Sequence, residues 1–440
     1  MPDAVKIAWF TPLSRRSAIG EFSVHVTAEL ARFADVELWV ADEPPFLRTQ
    51  LPVVTYSQES HELDRLGERD AIVYNLGDYL PFHRDIVAVS RNRPGVVILH
   101  DRVLHHLFAG MWLTGADLKH QLYVDRMRAY YGESGAEVAR ATLEGQRQPV
   151  WESDEEVLRY PLYEEGILTA HGVVTHSESQ ARDIRARWLG PVRALHLPCY
   201  SDVLRRVDGT RPRDPDGLVQ LLSVGHVNPN KQAHRVVEML AADPDLAARV
   251  RYTIVGPNDD FKAYVNDLRR FIARHADRLN VEILGWQPEE ELDRLMAQTD
   301  IFVNLRHPVM EGSSASLMKQ LAYARPVLCF ESGFFGELPE GALIRVAAGD
   351  FAAADQALRD LVDNPGLRRR MGEQAHAVAA SYDEQSYAEG LLSLIEESRH
   401  AAPALDFLNS VARQLGQMCV DGMLPTFDEV ANDFARVLSF

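Results

Sequence analysis

Short apolar runs alternate with amphipathic stretches along most of the 440-residue chain. Near-continuous apolar runs are typical of strands in a parallel sheet that is covered on both faces. Stretches with helical spacing, such as Glu21–Phe33, separate these runs, and Ser177 with Glu178 marks the start of another helix. The first half therefore predicts a doubly wound α/β unit whose strands are Val5–Phe10, Val36–Val40, Ala71–Tyr74, Val96–Leu99 and Gly172–Thr175.

The same alternation begins again after a polar break at Arg205–Gly217, which contains Pro and Gly and has no periodicity. We therefore predict two Rossmann-like domains, residues 1–205 and 216–383, facing across a cleft that binds a ligand at the carboxyl ends of the strands. The strands expected in the second domain are Val219–Val224, Tyr252–Val255, Val281–Leu284, Ile301–Leu305 and Val327–Phe330.

Two regions depart from the strand–helix rhythm. Residues 110–170 read as helices and loops, including Gly115–Tyr131 and Ala136–Leu143, and predict a helical insertion in the first domain. Residues 384–440 look helical, with patterns at Pro403–Leu415 and Phe427–Leu438. We expect this tail to cross back to the N-terminal domain.

The charge and the hydropathy of the chain restrict its partners. Lys and Arg number 46 against 64 Asp and Glu, a net charge of −18, which disfavours nucleic acid and broad adsorption to anionic membranes. No basic leader with an apolar run begins the sequence, and no run approaches the ~18 apolar residues that span a bilayer. We expect a cytoplasmic protein with at most peripheral membrane contact. Cys199, Cys329 and Cys419 are far apart and predict buried thiols.

The loop after the first strand, Ser14–Phe22, carries Gly20 at the start of a helix. A glycine there lets backbone N–H groups approach an anion, although an ordinary strand-to-helix turn explains it equally well. The chain contains neither a G-x-G-x-x-G fingerprint nor a Walker A sequence. Their absence disfavours dehydrogenases and P-loop kinases.

The loop that opens the second domain, Gly225–Lys231, ends in a lysine at the start of a helix. A cation there opposes the helix dipole, so the placement is favourable when an anion lies beside it. A solvated surface lysine is the simpler interpretation of Lys231 alone.

A third loop follows the strand Ile301–Leu305. Gly312 gives backbone freedom, and Ser313 and Ser314 offer hydroxyl and N–H donors at a helix start, although a serine cap without a ligand fits as well. A phosphate would repel Glu311, whose carboxylate is better suited to accept hydrogen bonds from sugar hydroxyls.

These loops, in this order, resemble retaining glycosyltransferases of the GT-B fold, specifically glycosyltransferase family 4, up to about residue 395. The family's V-G-R-x(4)-K-G motif corresponds to Val224–Lys231, and its Glu-x7-Glu motif begins at Glu311. The resemblance implies that Lys231 contacts the donor diphosphate and Glu311 the donor sugar. His226 stands where the family has arginine. Lys319 replaces the second acid, and a lysine cannot accept hydrogen bonds from the ribose.

In the N-terminal half, Arg16–Ser23 resembles the family's glycine loop, and His100 is similar to the histidine that touches the donor sugar. We therefore expect His100 and Glu311 to be the catalytic residues. A His/Asp cluster follows His100, but the resemblance implies no metal ion. The expected donor-binding residues are Gly20, His226, Lys231, Gly256, Trp286, Gly312, Ser313, Ser314 and Lys319, and the expected acceptor-binding residues are Glu21, Asp101 and His105.

The resemblance implies a retaining, metal-independent glycosyltransferase that uses a nucleoside-diphosphate sugar as co-substrate and no cofactor. The acceptor would be a glycan, a lipid-linked or another hydroxyl compound, in glycan or cell-surface polysaccharide assembly, and the helical insertion is its candidate site. A homodimer is compatible with the sequence. Two alternatives remain: a nucleotide-sugar 2-epimerase on the same fold and a non-catalytic protein that binds nucleotide-sugars.

Overall fold

The computed structural model describes residues 4–41, 44–114, 118–207, 217–259 and 261–417. The predictions for Gly115, for most of the linker, for Cys419 and for Phe427–Leu438 lie outside these residues. The described residues divide into two compact units. Unit 1 contains the residues up to His196, the segment Met310–Ser313 and the residues from Gln385 onward, and unit 2 contains Leu197–Val309 and Ser314–Glu384.

Each unit is built on one parallel sheet. The strands of unit 1 are β1 (Val5–Phe10), β2 (Ala34–Val40), β3 (Val53–Thr55), β4 (Ala71–Leu76), β5 (Val96–Leu99), β6 (Gly172–Thr175) and β7 (Val192–Ala194). Those of unit 2 are β8 (Val219–Val224), β9 (Val250–Val255), β10 (Val281–Leu284), β11 (Ile301–Asn304), β12 (Val327–Glu331) and β13 (Ile344–Ala347).

The spatial orders are β3-β2-β1-β4-β5-β6-β7 and β10-β9-β8-β11-β12-β13. The order of strands therefore reverses between β1 and β4 in unit 1 and between β8 and β11 in unit 2. In open parallel sheets ligands bind outside the carboxyl ends of the strands at such a reversal. The loops after these four strands are therefore the first places to look for a site.

Helices flank both sheets. They are α1 (Ala18–Leu30), α2 (Leu80–Asn92), α3 (His105–Leu113), α4 (His120–Leu143), α5 (Asp154–Arg159), α6 (Tyr163–Gly166), α7 (Glu178–Arg185), α8 (Ser201–Arg206), α9 (Ala233–Ala242), α10 (Pro244–Ala247), α11 (Lys262–Arg274), α12 (Glu289–Gln298), α13 (Ala315–Ala322), α14 (Phe351–Asp363), α15 (Pro365–Ser381) and α16 (Glu384–Gln417). Short 3-10 helices occur at His61–Glu68, Val150–Glu152, Pro229–Lys231 and Gly333–Gly336.

The apolar strands form the centre of each core. All four residues of β5 and of β6 are buried, which explains why these strands carry no polar alternation. Side chains of β1, β4 and the helical region α3–α6 share the core of unit 1, whereas β8, β9, β11 and α14 contribute to that of unit 2. The predicted fold class is confirmed: two Rossmann-like α/β units with a helical C-terminal region.

Helix α16 belongs to unit 1 from Gln385 onward. Its Leu391 and Leu394 are fully buried. Polar contacts fix the same helix, because His171 Nε2 lies 2.8 Å from Asp406 Oδ1 and Arg193 pairs with Glu397. Among the described residues, none of the helices combines the length and apolar character needed to cross a lipid bilayer.

Candidate active site

The two loops at the strand reversal of unit 2 are hydrogen-bonded to each other. The main-chain N–H of His307, after β11, donates to the carbonyl oxygen of Asn230, after β8, at 2.8 Å. The Gln232 side chain returns a hydrogen bond to the carbonyl oxygen of His307, also at 2.8 Å. These bonds hold the loops together at the carboxyl ends of neighbouring strands.

Lys231 lies at the end of the 3-10 helix Pro229–Lys231, two residues before α9. Its main-chain N–H is capped by the side chain of Asn228 at 3.3 Å. The ammonium lies beside Gly225, directly after β8, since a Cβ on Gly225 would lie 3.4 Å from Lys231 Nζ. A half-buried cation thus lies at the strand reversal, where the sequence predicted an anion site. His226, next in the chain to Gly225, is exposed.

Arg306 is a second cation on the same edge, and sequence reasoning did not single it out. Its side chain is buried, with 3% exposure, and Nη2 donates to Ser314 Oγ at 3.4 Å. The Ser314 hydroxyl also caps α13 by accepting from Leu317 N at 3.2 Å. The position of Arg306, directly after an apolar strand run, is the sequence signal that could have identified it.

Lys319 faces α12. Its Nζ lies 3.3 Å from Asp293 Oδ1 and 3.6 Å from Glu289 Oε1. Arg206 binds the same carboxylates, with Nη1 2.9 Å from Asp293 Oδ2. Two carboxylates of α12 thus neutralise the lysine that stands where the family resemblance has an acid.

Gly256 and Trp286 follow β9 and β10. Gly256 has φ of +147°, and a Cβ there would lie 2.1 Å from the carbonyl oxygen of Gly225. Only glycine therefore lets the loop after β9 pack against the loop that carries Lys231. Trp286, two residues after the edge strand β10, is 63% exposed.

In unit 1, Ser17 caps α1 by accepting a hydrogen bond from Gly20 N at 3.1 Å. A Cβ on Gly20 would lie 2.7 Å from the carbonyl oxygen of Pro12, so close packing of the first helical turn explains this glycine. Glu21, next in the chain, is half-buried in the first turn of α1.

The segment Met310–Ser313 brings Glu311 and Gly312 to the carboxyl end of β5. Gly312 N donates to the carbonyl oxygen of His100 at 3.0 Å, and Asp101 forms an isolated antiparallel bridge with Glu311. A Cβ on Gly312 would lie 3.0 Å from that carbonyl oxygen. The predicted group His100, Asp101, Glu311 and Gly312 thus lies together in unit 1, while Ser314 and Lys319 lie in unit 2.

The carboxyl group of Asp101 is surrounded by other acids. Burial raises its pKa to about 7, and the charges of Asp78 and Glu311 act in the same direction. Asp78 N donates to Asp101 Oδ2 at 2.8 Å. Asp101 therefore retains its proton at pH values where an exposed aspartate is ionised.

His106 balances part of this negative charge. One ring nitrogen faces Asp78 Oδ2 and the other the carbonyl oxygen of Trp151, so both carry protons when Asp78 is ionised. Burial alone would lower the pKa of His106, but the hydrogen bond and charge of Asp78 raise it overall. Burial also raises the pKa of Asp78, and the hydrogen-bonded pair His106–Asp78 flanks Asp101.

His105, by contrast, is a core residue of the helical region. Its side chain is fully buried, Nδ1 donates to the carbonyl oxygen of Tyr160 at 2.5 Å, and Nε2 lies 3.0 Å from Tyr123 Oη. Burial lowers its pKa to about 4. Both ring nitrogens are occupied by hydrogen bonds within unit 1. This favours a structural role for His105 over the expected binding of the acceptor substrate.

The side chain of His100 also points inward. Its Nε2 lies 2.9 Å from Asn75 Oδ1 and its Nδ1 lies 3.1 Å from His176 Nε2. Burial, followed by the neighbouring His176 and His83, lowers the pKa of His100 well below its ordinary value. Asn75 and His176 were not identified from the sequence, because each is distant from His100 along the chain.

Among the described residues, no group of three or more His, Cys, Asp or Glu side chains is arranged to hold a metal ion. Cys199 and Cys329 are buried free thiols, as predicted.

The strand reversal of unit 2 thus carries two cations, Lys231 and Arg306, on loops that are hydrogen-bonded to each other. Residues 211–378 match the family model described as glycosyl transferases group 1. This stretch, which contains Lys231, Arg306 and Lys319, is therefore a glycosyl transferases group 1 domain. No match is found among curated proteins.

Solved structures resemble the chain over most of its length. A glycosyltransferase from Rickettsia africae ESF-5 has a TM-score of 0.60 and 10% identity, covering 90% of this chain and 99% of that one. Anabaena Alr3699/HepE in complex with UDP and glucose has a TM-score of 0.59 and 14% identity, covering 89% and 99%. WaaG, a glycosyltransferase involved in lipopolysaccharide biosynthesis, has a TM-score of 0.55 and 16% identity, covering 88% and 99%. At these identities the likeness concerns the fold.

Proposed function

We propose that the protein is a glycosyltransferase that moves a sugar from a nucleoside-diphosphate sugar to an acceptor hydroxyl, with retention of anomeric configuration and without a bound metal ion. The observation that carries this proposal is the pair of cations, Lys231 and Arg306, on two joined loops at the strand reversal of the glycosyl transferases group 1 domain. Cations at this edge suit a diphosphate.

In the proposed reaction, the bond between the anomeric carbon and the diphosphate oxygen breaks, and a bond to the acceptor oxygen forms on the same face. The departing diphosphate gains negative charge and takes the acceptor's proton. Lys231 and Arg306 would stabilise that charge in a site where they are already in place, which is how electrostatic catalysis acts. In unit 1, Glu311 and Asp101 offer oxygen atoms that suit sugar hydroxyls.

The choice of nucleotide is open to direct measurement, and we take UDP as the first candidate because HepE was solved with UDP. Lys319 is bound by the carboxylates of α12 and offers no acceptor for ribose hydroxyls. The exposed indole of Trp286 offers an aromatic face for a base.

For the acceptor, we propose a glycan or a lipid-linked hydroxyl compound in polysaccharide assembly. The support is the involvement of WaaG in lipopolysaccharide biosynthesis, together with the carboxyl groups of Asp78, Asp101 and Glu311, the acidic group of unit 1. The helical region of residues 110–170 remains the candidate for binding this acceptor.

The first experiment measures thermal unfolding of the full chain with UDP, GDP, ADP and dTDP. A ligand at 100 times its Kd stabilises the native state by about 2.7 kcal/mol, so the true nucleotide raises the melting temperature. We expect one nucleotide to stand out. If all four leave the melting temperature unchanged, the proposal fails.

The second experiment compares Lys231→Ala with Lys262→Ala, an exposed lysine at the start of α11 in the same unit. We expect the first variant to lose at least about 100-fold in donor turnover, as when one group that stabilises transition-state charge is removed. The second should retain wild-type turnover. Equal rates in the two variants would contradict the role of Lys231.

Product analysis by NMR then separates the reaction classes. Incubation with donor alone should leave the sugar configuration at C2 unchanged. Epimerisation at C2 without an acceptor would instead identify a nucleotide-sugar 2-epimerase, and binding without turnover under any acceptor would identify a non-catalytic protein.

A further inference from the structure

A chain of hydrogen-bonding groups crosses the interior of unit 1 from β1 to the end of β7. Asn75 Nδ2 donates to the carbonyl oxygen of Phe10 at 2.9 Å, and Asn75 Oδ1 faces His100 Nε2. His100 Nδ1 faces His176 Nε2, and His176 Nδ1 lies 2.9 Å from the carbonyl oxygen of Leu195. The two ends of the chain are main-chain carbonyl oxygens, which only accept hydrogen bonds.

The orientation of Asn75 follows from the first of these contacts. If its amide were flipped, Oδ1 would face the carbonyl oxygen of Phe10, and two acceptors would meet in a buried place. Oδ1 must therefore point to His100, where it requires a donor.

The number of protons in the chain then follows by counting. Three contacts need one proton each: Asn75 to His100, His100 to His176, and His176 to Leu195. Two neutral imidazole rings supply only two ring protons. When both rings are neutral, one of the three contacts therefore brings two hydrogen-bond acceptors together. One added proton gives each of the three contacts a donor.

Burial opposes that added proton. It lowers the pKa of His176 to about 4, and it lowers the pKa of His100 as well. An unmatched buried polar contact carries a cost of its own, so the neutral state is also unfavourable. The cost of burying a charged ring thus opposes the cost of leaving one contact unmatched.

The surroundings of the pair limit its charge to one. The other titratable groups that face it are His83 on α2, His196 after β7, Tyr387 on α16 and Asp101, next in the chain to His100. The pKa of Tyr387 is raised well above 10 and that of Asp101 to about 7 by burial, so neither supplies a full negative charge in mildly acidic solution. A second imidazolium would repel the first without forming a new hydrogen bond.

We propose that Asn75, His100 and His176 form one proton-binding unit: the two rings together accept a single proton, and His176 is the positioning residue that decides which nitrogen of His100 is protonated. The unit is defined by its hydrogen bonds and does not depend on the proposed transfer reaction. His100 adjoins Asp101, so the proton held here also affects the charge next to the acidic group of unit 1.

Two substitutions remove the mismatch from opposite ends of the chain. In His176→Gln, the amide N–H donates to His100 Nδ1, so His100 should carry its proton on Nε2 and bind Asn75. In Asn75→Leu, the acceptor is lost, so His100 should carry its proton on Nδ1 and bind His176. The two variants thus predict opposite tautomers of the same ring.

The experiment uses the full chain labelled with ¹⁵N-histidine and long-range ¹H–¹⁵N correlation spectra at pH 7.5, which distinguish a protonated from an unprotonated ring nitrogen. We expect the Nε2–H form of His100 in His176→Gln and the Nδ1–H form in Asn75→Leu. The same tautomer in both variants overturns the proposal. His234→Gln, which changes a half-buried histidine bonded to Tyr264 in unit 2, should leave His100 unchanged.

The number of protons that the wild-type pair binds is a test that requires no folded variant, whereas the comparison of affinities uses the two variants. As the pH falls, the pair should gain one proton in total, with about tenfold higher affinity than His100 has in either variant, because the proton completes an unmatched contact. Independent protonation of both rings over the same pH range contradicts the single unit.

Discussion

The substitution Gly256→Ala tests how the glycosyl transferases group 1 domain places Lys231. Gly256 has φ of +147°, a conformation that residues with a side chain rarely adopt. The added Cβ would lie 2.1 Å from the carbonyl oxygen and 2.5 Å from the carbonyl carbon of Gly225. These are main-chain atoms, so no rotation of a side chain relieves the overlap.

The expected cost has two parts. Backbone strain in this region costs about 1–3 kcal/mol. The overlap must then be relieved by displacing the end of β8, so we expect a total loss of about 3 kcal/mol or more in the free energy of unfolding. Because the displaced loop carries Lys231, nucleotide binding should fall together with stability.

Gly285→Ala is the matched control, since Gly285 also follows a strand of the same sheet. Its added Cβ would meet only the side chain of Asn258, at 3.8 Å or more. We expect a change within about 0.5 kcal/mol.

Urea denaturation gives the unfolding free energy of each variant, and calorimetric titration with UDP gives its affinity. Equal stability and equal UDP affinity in Gly256→Ala and Gly285→Ala would refute the argument that the loop packs against the main chain of Gly225.

Three further substitutions have defined outcomes. Gly312→Ala places a Cβ 3.0 Å from a main-chain carbonyl oxygen and should lower the melting temperature and the transfer rate, whereas Gly67→Ala, with open space around it, should change neither. Lys319→Glu puts a third carboxylate beside Asp293 and Glu289 of α12. It should lower the free energy of unfolding in urea by about 1–3 kcal/mol, and Lys319→Gln should lower it by less. The pKa of Asp101 is raised to about 7, so its contribution to stability is present below the unfolded-state pKa and lost as pH rises through 7. Asp101→Asn should therefore gain stability relative to wild type as the pH rises from about 4 to about 7, and a relative loss over that range would contradict the assignment.

The sequence predicted the central strands because burial on both faces leaves a continuous apolar signature. β1, β5, β6, β8 and β10 have the predicted bounds. Of the edge strands, β10 was predicted, whereas β3, β7 and β13, which have three or four residues and are only partly buried, were missed. The predicted helices Gly115–Tyr131 and Ala136–Leu143 correspond to α4, interrupted at Gly132, where φ is +71°.

The sequence predicted a site residue where the order of strand, loop and helix along the chain fixes its position. Lys231 follows a strand and precedes a helix, so its position at the sheet edge could be inferred from neighbouring residues. The partners of His100 could not be inferred, because Asn75 and His176 reach it only through the pairing of β4, β5 and β6. For the same reason the sequence did not show that Met310–Ser313 has its contacts in unit 1.

The docking of α16 in unit 1 has a consequence for protein synthesis. The buried side chains of Leu391 and Leu394 complete the first unit, yet they are translated 195 and 198 residues after His196. At a translation rate of about 5–20 residues per second, the first unit waits roughly 10–40 s for its last helix. The second unit is synthesised in that interval, and its last residue, Glu384, directly precedes the segment that returns to the first unit. The N-terminal half is therefore synthesised first but completed last, and a nascent chain stalled before residue 385 would expose the surface that α16 covers.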